Sequence, residues 1–124
     1  MLVGLIEDAI DRILDEEEGK RVGIVLSGGL DSSTVAAITE YIEPGLPTFT
    51  GYYDAAGYDE RGWSRLVGSG HHHEILITPQ DFVDHFDAMV EHVRPPVMGM
   101  GTFGQYMVAR YAAQHVDVVL SGEG

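Results

Sequence analysis

The chemistry offered by this sequence is concentrated in seven consecutive residues, Ser27-Gly28-Gly29-Leu30-Asp31-Ser32-Ser33. They hold two glycines, three hydroxyls and one acid. An apolar run, Val22 to Leu26, precedes them, and a run with helical character, Thr34 to Tyr41, follows. A strand, a glycine turn and a helix N-terminus in that order make an anion cradle. The glycines let the backbone approach an anion closely. The first helical N–H groups lack partners within the helix, and the dipole there favours negative charge. Asp31 suits a phosphate only with a divalent cation between them, because hard cations take carboxylate and phosphate oxygens together.

The stretch is not a Walker loop, which needs G-x-x-x-x-G-K-[ST]; the single lysine is Lys20. It resembles instead the SGGxDS pyrophosphate loop of the N-type ATP pyrophosphatases. A second stretch, Val118-Val119-Leu120-Ser121-Gly122-Glu123-Gly124, is similar to the strand running into S-G-E-G in the asparagine synthetase family. The lead-in Pro47-Thr48-Phe49-Thr50-Gly51 and the strand opening His72-His73-Glu74 resemble that family too. The resemblance implies ATP as substrate and Mg²⁺ as its counter-ion. A carboxylate, aspartate or a relative of it, would attack the α-phosphorus, pyrophosphate would leave, and ammonia would displace AMP to give an amide. It implies nucleotide-binding roles for Leu26, Ser27, Gly28, Gly29, Asp31, Ser32, Gly51, Ser121 and Gly122. Asp31 would be the metal ligand. Glu123 would bear on formation of the acyl-adenylate.

Other residues invite chemistry and lose it on inspection. Gly99, Gly101 and Gly104 fit G-x-G-x-x-G, with Glu123 downstream. A dinucleotide fingerprint must follow a strand, and here Arg94-Pro95-Pro96-Val97-Met98 comes first; two prolines do not sit in a central strand. His71, His72 and His73 are adjacent, and adjacent strand residues face opposite ways, so the three do not converge on one ion. His85 and His92 share a helical face without a third ligand nearby. Phe49, Tyr52, Tyr53, Tyr58 and Trp63 surround the second strand and read mostly as core.

The elements that must hold the two motifs follow from periodicity and breakers. Leu2, Leu5, Ile6, Ala9, Ile10, Ile13 and Leu14 recur at helical spacing, which predicts an amphipathic helix over 2–17 closed near Gly19. Strands are predicted over 21–26, 48–53, 73–77 and 116–120. Helices are predicted from the glycine loop to about Tyr41, over 60–67, from Thr78-Pro79 (N-cap and first turn) to the prolines, and over 102–115. Residues 54–57 read as a loop. Strands alternating with helices imply an α/β fold, an open parallel sheet with right-handed crossovers and helices on both faces. The resemblance implies the adenine nucleotide alpha hydrolase-like (PP-loop ATPase) architecture with strand order 3-2-1-4, which sets the two motifs side by side at the strands' carboxyl ends, where open α/β sheets bind ligands. Residues 1–20 read as an N-terminal helix and 21–124 as a partial ATP-binding synthetase domain.

Composition bounds the rest. The 124 residues carry twenty acids against seven bases, a net charge of −13, and no cysteine. Nucleic-acid binding, which rests on Lys and Arg, is disfavoured. Thiolate zinc and disulfides are excluded. No secretory signal and no membrane span are evident, and cytoplasmic location is the expectation. The acids in Glu7-Asp8, Asp11 and Asp15 to Glu18 fit a solvated helix face or an adaptation to a high-salt cytoplasm. Relative to the family pattern, three features are missing: a glutaminase half with its N-terminal cysteine, the acid following S-G-E-G, and a downstream helical region with its lysine. The sequence therefore reads as the ATP-binding part of an asparagine-synthetase-like amide ligase, or as a non-catalytic nucleotide-binding or interaction module retaining the fold. Strand 116–120, apolar apart from Asp117, is expected to leave an open edge through which copies self-associate.

Overall fold

The computed structural model describes residues 2–26, 30–53, 71–93 and 100–122. Helix α1 (Leu2–Glu16) leads through a turn, where Gly19 takes a φ of 88°, into β1 (Val22–Val25). Next come α2 (Leu30–Ile42), β2 (Thr48–Tyr52), β3 (His72–Leu76), α3 (Pro79–Val93), α4 (Met100–Ala112) and β4 (Val118–Leu120). The four described strands form one parallel sheet in the order β3-β2-β1-β4. That is the expected order, and it puts β1 in the middle with β2 and β4 on either side. The helix expected over 60–67, with Trp63 and Tyr58, lies outside the described residues.

Alternation along the strands sorts the core into two layers. Val22, Ile24 and Leu26 face one way. There Ile10 of α1 meets Val22 and Leu120, and Ala36 of α2 meets Ile24 and Leu26. Phe49 and Ile77 face the other way. Phe49 packs with Val108, Ala112 and Val116, and Ile77 with Met89, Phe103 and Met107. Thus α1 and α2 cover one face, and α3 and α4 the other. A parallel sheet covered on both sides needs strands that are apolar throughout, which Val22-Gly23-Ile24-Val25-Leu26 supplies. The outer side of α1 carries Asp8, Asp11, Asp15 and Glu16, all exposed. No described helix is long and apolar enough to cross a membrane.

Local chemistry fixes the ends. Thr78 caps α3: its hydroxyl accepts from the Asp81 N–H at 3.1 Å, and the Asp81 carboxylate accepts from the Thr78 N–H at 2.9 Å. This reciprocal arrangement is a capping box with Asp in place of Glu. It holds the Asp81 carboxyl below the usual carboxylate range, chiefly through the backbone hydrogen bond from Thr78. At the amino end of the sheet, Arg21 N–H and Nη2 donate to the Asp117 carboxylate at 2.9 and 3.2 Å. The Asp117 N–H returns a bond to the Arg21 carbonyl at 2.7 Å. These contacts set the register of β4 on β1, Val22 opposite Val118.

Candidate functional site

Two chain segments that stand ninety residues apart in sequence meet where β1 and β4 end. Leu26, directly after β1, is wholly buried, and its N–H donates to the Phe49 carbonyl of β2 at 2.8 Å. Ser27, Gly28 and Gly29 lie outside the described residues. The chain is described again at Leu30, where α2 begins, with Asp31 exposed in its first turn and Ser32 buried. Thr34 donates its hydroxyl to the Leu30 carbonyl at 2.7 Å, a helical back-bond that leaves the N–H groups of the first turn uninvolved in it. On the neighbouring strand, Leu120 is buried and pairs with Ile24, and Ser121 and Gly122 continue past it.

Gly122 joins the two motifs. A Cβ there would stand 2.6 Å from the Asp31 carbonyl carbon and 2.6 Å from Ser32 Cα, with the Ser32 nitrogen as a third neighbour. These are backbone atoms and cannot swing aside. Only glycine fits, because its backbone rests directly on the first turn of α2. The structure thus brings together Leu26, Asp31, Ser32, Ser121 and Gly122. Glu123 lies outside the described residues, so its position in this group is not described.

Gly51 sits on the neighbouring strand β2, opposite Ile75 of β3. A Cβ there would meet Val108 Cγ2 at 2.7 Å and Ile77 Cδ1 at 2.9 Å. The glycine is accounted for by the packing of α4 across the sheet. Gly104 has a similar cause: a Cβ would lie 3.0 Å from the Tyr53 hydroxyl. It and Gly101 fall inside α4, and the described element before α4 is the helix α3. Gly99 lies outside the described residues.

The histidines separate as alternation requires. His72 Nδ1 lies 2.7 Å from the Thr48 hydroxyl, on the side of α2. His73 faces the other way, stacked on Phe49 with ring centroids 4.9 Å apart and close to His115 at 4.8 Å. Tyr111 completes that cluster, its hydroxyl 3.4 Å from His73 Nδ1. Burial first, and then the neighbouring His115 and His71, push the His73 pKa below its ordinary 6.5. Among the described residues no group of three or more His, Asp or Glu is arranged to hold a metal ion.

A cavity of about 520 Å³ opens at the opposite, amino end of the sheet, lined by Leu14, Glu17, Lys20, Arg21, Leu46 and Val116 among others. It shares no residue with the motifs. Its cations are engaged with acids, Lys20 with Glu17 at 2.7 Å and Arg21 with Asp117 at 3.2 Å. The size of this cavity does not make it the site, because the described residues of the two motifs, Leu30 to Ser33 and Ser121-Gly122, stand at the other end of the strands.

One contact at the site was not foreseen from sequence. Thr50 of β2, buried to 2% exposure, donates its hydroxyl to the carbonyl of Leu26. The signal available was a hydroxyl at a position where a doubly covered parallel strand calls for valine or isoleucine.

Comparison with known proteins bears on the same residues. A family model described as asparagine synthase matches residues 2–124. The chain is 31% identical to glutamine-hydrolyzing asparagine synthetase 1 of Bacillus subtilis over 106 residues, covering 83% of this chain and 17% of that protein. It is 32% identical to a putative glutamine-hydrolyzing asparagine synthetase of Mycobacterium tuberculosis, covering 94% of this chain and 19% of that protein. With a putative glutamine-hydrolyzing asparagine synthetase of Methanocaldococcus jannaschii the identity is 34%, covering 83% of this chain and 21% of that protein. The chain spans about a fifth of the length of these curated relatives.

Proposed function

The chain belongs to the asparagine synthase family, and from that premise we propose that it is the ATP-binding part of an amide ligase. The observation that carries the reading is the seating of Gly122 on the first turn of α2. It puts the end of β4 against the helix N-terminus that follows the glycine loop, the place where an open α/β sheet binds a nucleotide.

In this reading the loop Ser27-Gly28-Gly29 and the α2 amides, with Ser32, take the phosphates of ATP. Leu26 and Gly51 border the adenine side, and Ser121 and Gly122 approach the nucleotide from β4. Asp31, exposed in the first turn of α2, holds Mg²⁺. The residue type fits such an ion: an exposed carboxylate in the first turn of a helix is near that turn's N–H groups, and a metal-bridged phosphate would satisfy both. When bound, the metal neutralises charge on the departing pyrophosphate. An oxygen of the substrate carboxylate bonds to the α-phosphorus as the bond to pyrophosphate breaks. The nitrogen of ammonia then bonds to the acyl carbon, the bond from that carbon to the AMP oxygen breaks, and a proton lost from nitrogen leaves the amide and AMP. The work of this chain is to position and to neutralise, with Glu123 acting at the adenylation step. Aspartate is the carboxylate that the family implies.

Thermal unfolding with and without Mg-ATP or Mg-pyrophosphate tests the reading. Ligand at a hundredfold over its dissociation constant stabilises by about 2.7 kcal/mol. A folded protein whose melting temperature stays fixed at millimolar concentrations of both ligands would refute it.

A further inference from the structure

We propose that Thr50 is a positioning residue for the nucleotide loop, acting through the carbonyl of Leu26. The inference rests on the nucleotide-binding reading above and adds a residue to it. β2 has one row of side chains on the face of the sheet opposite Phe49, and that row contains Thr48 and Thr50, each 2% exposed. Threonine and valine have nearly the same shape, yet they are not interchangeable in a core, because a buried hydroxyl must find a partner. The two threonines find theirs on opposite neighbours. Thr48 turns to β3 and meets His72 Nδ1 at 2.7 Å. Thr50 turns to β1 and donates to the Leu26 carbonyl.

The second bond falls where the sheet runs out. The pairing of β1 with β2 is Ile24 with Thr48 and Val25 with Phe49. The last bond that β1 sends to β2 is from the Leu26 N–H to the Phe49 carbonyl. One step further, the Leu26 carbonyl is wholly buried and needs a donor. Thr50 supplies it from a side chain. A peptide unit is planar and trans, so fixing that carbonyl fixes the plane in which the chain leaves Leu26 for Ser27-Gly28-Gly29. The glycines that follow give the loop freedom to approach an anion, and that freedom is useful only if the first peptide has a set direction. Thr50 touches no reacting group in this scheme; it aims the residue that starts the loop.

Three variants at Thr50 and one at Thr48 separate this role from plain packing. Binding of Mg-pyrophosphate and Mg-ATP is measured by calorimetry at a temperature where melting curves show every variant folded. Thr50→Val keeps the volume and removes the donor, and it weakens both ligands about fivefold to tenfold. Thr50→Ser restores the donor and binds within about twofold of the parent. Thr48→Val removes a hydroxyl of the same strand on the other neighbour; it lowers the melting temperature and leaves binding unchanged. If Thr50→Val does not fold, Thr50→Ser against Thr50→Ala gives the same comparison at smaller volume. Amide NMR shifts of residues 27–33 in the free protein supply a ligand-independent readout, displaced in Thr50→Val and kept in Thr50→Ser. Parental binding and parental loop shifts in Thr50→Val would overturn the proposal while the nucleotide reading stands. Absence of binding in the parent itself would overturn the nucleotide reading, and the positioning role with it.

Discussion

Adding one methyl group at Gly122 is the sharpest probe of the site. In Gly122→Ala the new Cβ would stand 2.6 Å from two backbone atoms of α2, whereas ordinary contact begins at 3.4 Å. Either the end of β4 or the first turn of α2 must yield by at least about 0.8 Å, the Ser32 nitrogen being nearer still. Neither moves freely: Leu120 is held in register with Ile24, and Ser32 and Ala36 bury the same helix against the sheet. Overpacking of this kind costs about 1–3 kcal/mol. The displacement also acts directly on the helix N-terminus proposed to hold phosphate, where an error approaching 1 Å costs on the order of a hundredfold in a reaction that depends on alignment. Denaturant unfolding gives the first quantity; calorimetry with Mg-pyrophosphate shows whether the displaced helix N-terminus also loses affinity, and the hundredfold figure applies to the rate of the adenylation step. Gly23→Ala is the control. Its Cβ would meet Phe49 Cε2 at 2.7 Å on the opposite face of the sheet, so it loses stability and keeps affinity. The reasoning fails if Gly122→Ala unfolds and binds like the parent, or if both variants lose affinity only in proportion to lost stability.

Further outcomes follow from single groups. Asp31→Asn weakens pyrophosphate binding in the presence of Mg²⁺ and improves or preserves it without metal, because a carboxylate unbridged by a cation repels the anion; equal losses in both titrations would remove Asp31 as the metal ligand. The folded-state pKa of His73 is depressed below 6.5, so the unfolded chain takes up that proton first. Its contribution to stability is therefore complete above pH 6.5 and falls as the pH drops below it. His115, His71 and Tyr111 are the titratable groups beside it. His73→Phe flattens unfolding free energy between pH 7.5 and 5.5, and an unchanged slope would assign the dependence elsewhere. Thr78→Ala costs about 0.5–2 kcal/mol through the lost cap of α3. The Asp81 carboxyl, now below 3.8, gives stability that is present above that pH and is lost as acid protonates it. Carboxyl NMR titration of Thr78→Ala shows the Asp81 midpoint rising only in part, because the hydroxyl bond is lost while the backbone N–H that chiefly lowers it remains.

The parts of this fold legible in the sequence are those set by local rules. Periodicity located α1, and Thr78-Pro79 marked the start of α3 because cap and first turn are adjacent residues. Where expectation and structure differ, a tertiary bond decides. The fourth strand begins at Val118 rather than Val116. The Val116 N–H is still held by the Ala112 carbonyl at 2.9 Å, and the N–H groups of both Asp117 and Val118 turn to the Arg21 carbonyl. The third strand spans His72–Leu76, one residue earlier at each end than expected; the Ile77 N–H still extends its ladder to the Tyr52 carbonyl at 2.8 Å, and the Ile77 side chain joins Met89 and Phe103.

The candidate site divides along the same line. Its first half is local: a strand, two glycines and a helix start are contiguous, and their types alone suggest an anion. Its second half depends on a distance that no local pattern encodes. Ser121 and Gly122 acquire meaning only when β4 pairs with β1, and that pairing is set by Arg21 and Asp117 at the far end of the strands. A register shift of one residue would turn Leu120 out of the core and take Gly122 off Ser32. The salt-bridged amino end, exposed and remote from the proposed phosphate site, is therefore coupled to that site through three residues of strand. Gly122 is required by backbone contact and Thr50 by a carbonyl left over where the ladder stops. Both are consequences of where strands end, which is the least legible property of a sequence and the one on which this site is built.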